Sequence, residues 1–226
     1  MTSSHFPAAI LFDLDGTLVD SAPDLAGALD TLFKEQGWAP HSLAGVKAMV
    51  GGGVPKLIER ALHKSGIDAD SARREELVQR FLGHYGARAT RLTRPFPGAM
   101  EMLKQLKEAG THLGVCTNKP EAITRQILDA LSISPLLGAV IGGDTLPTMK
   151  PDAAPVLAAL EILRSGPDEG MMVGDSAVDL GAARGAGVPV ILVSFGYTQT
   201  PVSQMDADAI IDSFAELPDA IERLMS

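Results

Sequence analysis

Short apolar runs alternate with longer amphipathic segments along most of this chain. Five of the runs have the length of buried strands: residues 8–12, 113–116, 139–141, 171–173 and 190–193. The segments between them repeat apolar positions with the period of a helix, and a closing strand and helix are predicted between residues 209 and 224. Such alternation is typical of a parallel sheet covered by helices on both faces. The pattern therefore predicts an α/β fold with a doubly wound, Rossmann-like parallel sheet.

The segment from about residue 21 to residue 91 interrupts this alternation, because it has helical periodicity and no strong strand. Its apolar faces mark three helices: Leu25, Leu29, Leu32 and Phe33; Leu57, Ile58, Ala61 and Leu62; and Leu77, Val78, Phe81 and Leu82. The sequence therefore predicts a helical domain, residues 20–93, inserted into a core formed by residues 1–19 and 94–226.

Two carboxylates, Asp13 and Asp15, follow the first predicted strand. Residues two apart on a strand share a side, although a chain that curls after the strand can instead turn the carbonyl of Asp15 inward. Neighbouring carboxylates repel each other unless a cation or a proton lies between them. A Mg²⁺ ion with a phosphate ester accounts for the pair, and a plain strand entering an Asp-Gly turn is the alternative.

Polar residues also follow later predicted strands. Thr117 and Asn118 follow the second strand and offer a hydroxyl and an amide as neutral donors to a phosphate. Asp175 follows the fourth strand, and Asp179 lies one helical turn beyond it. Lys150 lies between these segments and offers a point charge. A helix N-cap for the first pair and a solvated surface position for the lysine are the alternatives. Ligands of open α/β sheets bind outside the carboxyl ends of the strands, so we expect these residues to meet in one crevice.

The order and content of these segments resemble the four motifs of the haloacid dehalogenase-like superfamily of phosphohydrolases, over nearly the whole chain. The resemblance implies that Asp13 is the nucleophile that attacks phosphorus. It implies that Asp15 protonates the leaving oxygen and then activates water. Lys150 is the expected catalytic lysine that holds phosphate against the nucleophile, and Thr117 and Asn118 are the expected phosphate-binding residues.

The same resemblance implies a Mg²⁺ cofactor. Its expected ligands are Asp13, the backbone carbonyl of Asp15, and Asp175, with waters and a substrate oxygen completing the shell. Asp179 is expected to orient a metal-bound water or Lys150 rather than to bind the ion. The five histidines show no zinc-binding spacing.

The inserted helical domain resembles the cap of superfamily members whose cap follows the first motif. Within this cap, Gly51, Gly52 and Gly53 precede a predicted helix and leave backbone N–H groups free for an anion, which suits a small carboxylate. A flexible loop between helices is the alternative. Lys56 and Arg60 lie four residues apart, and a solvated helix face is the favoured interpretation for both.

Three segments resemble those of bacterial phosphoglycolate phosphatases: residues 12–25, the glycine loop with its following helix, and residues 195–197. This resemblance implies hydrolysis of 2-phosphoglycolate to glycolate and phosphate through an aspartyl-phosphate intermediate. The motifs leave open a sugar-phosphate phosphatase, a phosphomutase of the β-phosphoglucomutase kind and a pyrophosphatase. Asp15 argues against a metal-free dehalogenase and a phosphonate-cleaving relative. A phospho-accepting receiver domain, from a different class, would be much shorter and would have no inserted helices.

Composition sets the remaining limits. A chain of 226 residues with 46% hydrophobic content can bury a sizeable core. Its formal net charge of −9 gives no electrostatic footprint for nucleic acid or an anionic membrane. The resemblance to phosphohydrolases implies a small phosphorylated metabolite as the partner. The single cysteine, Cys116, suits a reducing compartment. No signal peptide or membrane span is evident, which predicts a cytoplasmic enzyme, with a monomer and a homodimer both open.

Overall fold

A six-stranded parallel sheet forms the centre of the computed structural model, which describes residues 6–198 and 200–226. The strands in chain order are β1 (Ala9–Phe12), β2 (Val19–Asp20), β3 (Arg94–Pro95), β4 (His112–Cys116), β5 (Ala139–Ile141), β6 (Gly170–Gly174), β7 (Val190–Val193) and β8 (Ala209–Ile211). Six of them form the sheet in the order β5-β4-β1-β6-β7-β8, and every neighbouring pair is parallel. The chain places β4 and β5 on one side of β1 before it crosses to β6 on the other. A crevice therefore opens beside β1 at the carboxyl ends of the strands, where ligands of such sheets bind.

The α-helices of the described residues run from the inserted segment to the end of the chain. They are α1 (Ala22–Glu35), α2 (Leu43–Lys47), α3 (Gly53–Lys64), α4 (Ser71–Gly86), α5 (Ala99–Glu108), α6 (Glu121–Ala130), α7 (Ala154–Ile162), α8 (Ala177–Ala186) and α9 (Leu217–Met225). No helix of the described ranges combines the length and the apolar character that a membrane crossing requires.

Side chains of the sheet alternate between two apolar layers. Ile10 and Phe12 of β1 belong to a cluster with residues of α5, α6 and α9, whereas Ala9 and Leu11 belong to a cluster with residues of α7 and α8. This alternation follows from strand geometry, in which successive side chains point to opposite faces. Helices cover both faces of the sheet, which confirms the predicted doubly wound α/β fold.

Helices α1 to α4 form the inserted helical block. The two-residue strands β2 and β3 pair antiparallel on either side of it, with Val19 opposite Pro95 and Asp20 opposite Arg94. The chain therefore leaves and re-enters the core at adjacent points. This ladder lies at the predicted limits of the cap, and the division of the chain into core and cap stays a prediction. Residues 1–5 and 199 of that predicted core lie outside the described residues.

The inserted block holds one helix more than the apolar faces predicted. The additional helix is α2, which has five residues and begins after Ser42, whose side chain accepts a hydrogen bond from the N–H of Gly45 at 3.1 Å. A helix this short shows too little of a 3.6-residue period to be detected by pattern alone.

Candidate active site

A single cleft at the carboxyl ends of the central strands collects every predicted site residue. These residues are Asp13, Asp15, Gly51, Gly52, Gly53, Thr117, Asn118, Lys150, Asp175 and Asp179. The cleft has a volume of about 70 Å³ and lies between the sheet and the start of α3. Parallel strands place their carboxyl ends at one edge of the sheet, which is why positions more than 150 residues apart, such as Asp13 and Asp175, meet there.

Asp13 follows β1 directly and is paired with Lys150. Lys150 Nζ donates to Asp13 Oδ1 at 2.8 Å, to Asp179 Oδ1 at 2.6 Å and to the carbonyl oxygen of Cys116 at 2.5 Å. Burial opposes the positive charge of Lys150, but Asp13 and Asp179 outweigh it and raise the pKa of the lysine. All three N–H donors of this ammonium are therefore in use, and it stays charged between two carboxylates. The alternative of a solvated surface lysine is wrong, because Lys150 is buried.

Asp175 follows β6 and is held by backbone that packs closely around it. Its Oδ2 accepts a hydrogen bond from the N–H of Tyr197 at 2.6 Å. A Cβ at Gly16 would lie 2.3 Å from Asp175 Oδ2, and a Cβ at Gly196 would lie 2.3 Å from Asp175 Cβ. Gly16 also has a φ of +92°, which glycine adopts without strain. Glycine at both positions therefore lets two loops enclose this carboxylate.

Asp179, in the first turn of α8, uses both of its oxygens within the protein. Oδ1 accepts from Lys150, and Oδ2 accepts from Ser176 Oγ at 2.6 Å and from the N–H groups of Ser176 and Asp175 at 3.1 and 3.2 Å. These contacts fit the expectation that Asp179 orients Lys150, and that role stays a prediction.

Asp15 has a partner that sequence reasoning missed. Lys119 Nζ contacts both of its carboxylate oxygens, Oδ1 at 2.8 Å and Oδ2 at 2.6 Å, and Ser21 Oγ donates to Oδ1 as well. The lysine is 5% exposed, and its ammonium lies 4.6 Å from the centre of the Tyr85 ring of α4. Burial opposes its charge, but Asp15 raises its pKa overall. The signal in the sequence was a lysine that directly follows two predicted phosphate-binding residues.

Thr117 and Asn118 lie in the cleft and do not cap α6, whose N-cap residue is Pro120. The N–H of Thr117 donates to the carbonyl oxygen of Ile141 at 2.9 Å, which continues the pairing of β4 with β5. Asn118 Nδ2 donates to the carbonyl oxygen of Lys150 at 2.7 Å, and its buried Oδ1 has no partner among the described residues. The N-cap alternative is therefore wrong for both residues.

The donor set at the bottom of the cleft fits a divalent cation. Carboxylate oxygens of Asp13, Asp175 and Asp179 lie within 4.8 Å of one another. Burial raises the pKa of Asp13 to about 6, and burial with the charges of Asp179 and Asp13 raises the pKa of Asp175 well above its usual range. Four carboxylates here face two ammonium groups, those of Lys119 and Lys150, which leaves an excess of negative charge. Hard cations bind such clustered oxygens and lower their pKa values again.

Residues 10–193 match the protein family described as haloacid dehalogenase-like hydrolase. The chain belongs to this family. The match begins in β1 and ends with β7, so it includes every predicted site residue. The resemblance inferred from the motifs is confirmed.

Highly similar relatives of this haloacid dehalogenase-like hydrolase carry the name of a phosphatase. A phosphoglycolate phosphatase of Caulobacter vibrioides is 45% identical over 97% of this chain and 92% of its own length. A phosphoglycolate phosphatase of Rhodospirillum rubrum is 43% identical over 94% of this chain and 90% of its own length. Family and relatives together identify the chain as an enzyme, a phosphatase.

Solved structures of the family share the fold over nearly the full length. A predicted phosphoglycolate phosphatase from Haemophilus somnus has a TM-score of 0.89 at 32% identity and covers 97% of this chain and 99% of its own. CbbY from Rhodobacter sphaeroides, solved in complex with phosphate, has a TM-score of 0.80 at 26% identity and covers 94% of this chain and 96% of its own.

Proposed function

We propose that this phosphatase hydrolyses 2-phosphoglycolate to glycolate and phosphate with Mg²⁺ as its cofactor. The observation that carries the proposal is that the Asp13 carboxylate and the glycine loop, residues 51–53, line the same small cleft. The Asp13 carboxylate provides the nucleophile that attacks phosphorus, and the glycine loop provides backbone N–H donors for the substrate carboxylate. The names of the similar relatives from Caulobacter and Rhodospirillum support the same substrate.

Asp13 is the proposed nucleophile. Its carboxylate forms a bond to phosphorus while the bond from phosphorus to the ester oxygen breaks, which leaves an aspartyl phosphate. Asp15 must be in its protonated form for this step, and it gives that proton to the departing glycolate oxygen. Asp15 then takes a proton from the water that attacks phosphorus, and phosphate leaves as the Asp13 carboxylate is restored.

Asp13, Asp175 and the backbone carbonyl of Asp15 are the proposed holders of Mg²⁺. Asp13 Oδ2 and Asp175 Oδ1 accept no hydrogen bond from the described residues, whereas both oxygens of Asp179 are occupied. The free oxygens support Asp13 and Asp175 as side-chain ligands of the ion. The occupied oxygens of Asp179 support a role in orienting Lys150 instead. When bound, the ion supplies charge neutralisation for the phosphoryl oxygens.

Thr117 and Asn118 are proposed to bind the phosphoryl group, and Lys150 is proposed to stabilise it by its charge while holding Asp13 against it. Lys150 keeps Asp13 in place through its 2.8 Å contact and adds positive charge where the transferred group gains negative charge. The buried Thr117 and the amide of Asn118 add neutral donors beside it.

The glycine loop favours a substrate that carries a carboxylate beside its phosphate over the alternatives that share this site. A sugar-phosphate phosphatase, a β-phosphoglucomutase-like phosphomutase and a pyrophosphatase remain the competing proposals, since all would use the same core residues.

Phosphate release from a panel of esters tests the proposal. We expect 2-phosphoglycolate to have the highest kcat/KM when compared with hexose phosphates and pyrophosphate. Activity should disappear when EDTA removes divalent cations and return when Mg²⁺ is added in excess, because the acidic cluster alone repels a phosphate dianion. A clearly higher kcat/KM for another ester would reject the substrate, and EDTA-resistant turnover would reject the cofactor.

Replacing the buried partner of Asp15 should slow catalysis. Lys119→Met removes the ammonium that contacts both oxygens of Asp15 and leaves Ser21, among the described residues, to hold the carboxylate. We expect kcat for 2-phosphoglycolate to fall by about 10²-fold, within the range of acid–base contributions, while KM changes little. Lys104→Met, which removes an exposed lysine of α5, is the matched control. A rise in KM at unchanged kcat would contradict a role through Asp15.

The substrate is the one proposed partner, and we propose no nucleic-acid or membrane partner for this acidic chain. A cytoplasmic location and the choice between monomer and homodimer stay predictions. Size-exclusion chromatography with light scattering decides the oligomeric state.

A further inference from the structure

Arg60 of α3 contacts the loop that precedes its own helix. Its Nη1 donates to the carbonyl oxygens of Met49 at 2.8 Å, Val50 at 3.2 Å and Gly51 at 2.8 Å. Arg60 is exposed, as expected for a solvated helix face, and its guanidinium makes these carbonyl contacts in addition. Lys56 fits the same expectation and pairs with Glu59 on the surface. One guanidinium nitrogen thus gathers three successive carbonyls on one side of the loop.

Because each peptide bond of this loop is planar and trans, the direction of these carbonyls also fixes the direction of the N–H groups that follow them. In each peptide unit the N–H points away from the C=O, so carbonyls gathered toward Arg60 turn the following N–H groups to the opposite side. Those N–H groups belong to Val50, Gly51 and Gly52. The N–H of Val50 donates to the carbonyl oxygen of Lys47 at 3.2 Å, whereas those of Gly51 and Gly52 have no acceptor among the described residues.

The side opposite Arg60 is the cleft. Gly51 and Gly52 line the cleft together with Asp13, whereas Arg60 lines a separate groove on the outer surface with Met49. The two unpaired N–H groups therefore belong to residues that line the same space as the nucleophile, while Arg60 contacts the loop from the outer groove. Both N–H groups belong to the backbone, so their direction depends on the conformation of the loop and on no side chain of the glycines.

We propose that Arg60 is a positioning residue for substrate specificity, which holds the N–H groups of Gly51 and Gly52 toward the carboxylate of the substrate. This inference rests on the proposed function. Gly51, Gly52 and Gly53 have φ values of +98°, +84° and +84°, and glycines have more backbone freedom to lose than any other residue. Without the guanidinium, the loop must be ordered again each time substrate binds, which weakens binding.

Steady-state kinetics of Arg60→Met on two esters tests the inference. The esters are 2-phosphoglycolate and methyl phosphate, which lacks only the carboxylate. We expect KM for 2-phosphoglycolate to rise about tenfold at unchanged kcat, because binding is lost and the chemistry at Asp13 is untouched. KM for methyl phosphate should stay within about twofold of wild type. Arg60→Lys retains the charge and one nitrogen donor, and should restore part of the loss.

Arg74→Met is the matched control, because Arg74 lines the same outer groove but contacts no carbonyl of residues 49–51. It should leave KM for both esters unchanged. Amide hydrogen exchange of residues 48–54 should accelerate in Arg60→Met and not in Arg74→Met, which reports loop order if either variant is weakly active.

The outcomes separate the two proposals. A wild-type enzyme that prefers methyl phosphate, or treats both esters alike, overturns carboxylate recognition and the role of Arg60 together. A wild-type preference for 2-phosphoglycolate that persists in Arg60→Met overturns only the role of Arg60. Equal losses on both esters also overturn it, because they would show a loop needed for closure rather than for the carboxylate.

Discussion

Asp13→Asn is expected to eliminate phosphate release from 2-phosphoglycolate, with a loss of at least about 10⁴-fold in kcat. An amide is not a nucleophile toward phosphorus, and Asp15 is held away from that role by its two contacts with Lys119. The fold should persist, because Asn has nearly the same shape and Lys150 keeps its contacts with Asp179 and Cys116.

The same substitution should not lower the stability of the metal-free protein. Burial raises the pKa of Asp13 to about 6, so the charged carboxylate is disfavoured in this cluster and a neutral amide relieves the repulsion. We expect the Tm in EDTA to stay equal or rise. Circular dichroism melting of Asp13→Asn and wild type measures it.

Asp168→Asn is the control for Asp13→Asn, since Asp168 is exposed and lies outside the cleft. It should retain wild-type kinetics. Acid quenching of wild type during turnover, followed by peptide mass spectrometry, should show one phosphoryl group on the peptide that contains Asp13. Retention of more than about 1% of wild-type kcat by Asp13→Asn would contradict a nucleophilic role.

Local sequence pattern was sufficient for most of the fold. The strands at residues 139–141 and 190–193 have the bounds that the sequence predicted, and α5 and α8 lie in segments between the strands that it predicted to be helical. The bounds of each of these elements depend on residues close by in the sequence. For example, Gly187 ends α8 in a left-handed conformation with a φ of +71°. Strands β2 and β3, with two residues each, are too short to show a pattern and were not predicted.

The candidate site was predictable where its residues follow strand ends, and less so where contacts are remote or involve the backbone. Lys119 and Asp15 are 104 positions apart, and no local pattern connects them. Arg60 binds carbonyl oxygens, which every residue has, so its role left no signal in residue types. The contact of Tyr197 with Asp175 is likewise a backbone N–H. Such contacts become visible only once the chain is folded.

Lys150→Met is expected to impair both turnover and stability. The substitution leaves Asp13 and Asp179 buried without the ammonium that lies 2.8 and 2.6 Å from them. Removing one partner from a buried ion pair typically costs about 3–5 kcal/mol, which for a domain of this size lowers Tm by on the order of 10 °C. We expect kcat to fall by about 10³-fold, because Asp13 loses its anchor and the phosphoryl group loses a positive charge.

The effect of Mg²⁺ on Tm separates two explanations for a destabilised Lys150→Met variant, namely unpaired carboxylates and lost packing. If unpaired carboxylates destabilise Lys150→Met, excess Mg²⁺ should raise its Tm by more than it raises that of wild type, because the cation replaces part of the missing charge. If lost packing is the cause, Mg²⁺ should shift both proteins equally. Lys56→Met breaks the exposed pair with Glu59 and should leave Tm within about 2 °C of wild type, since surface ion pairs contribute little. A Lys150→Met variant with wild-type Tm in EDTA would contradict the buried ion pair as a source of stability, and the contact between Lys150 and Asp13 would then matter for catalysis alone.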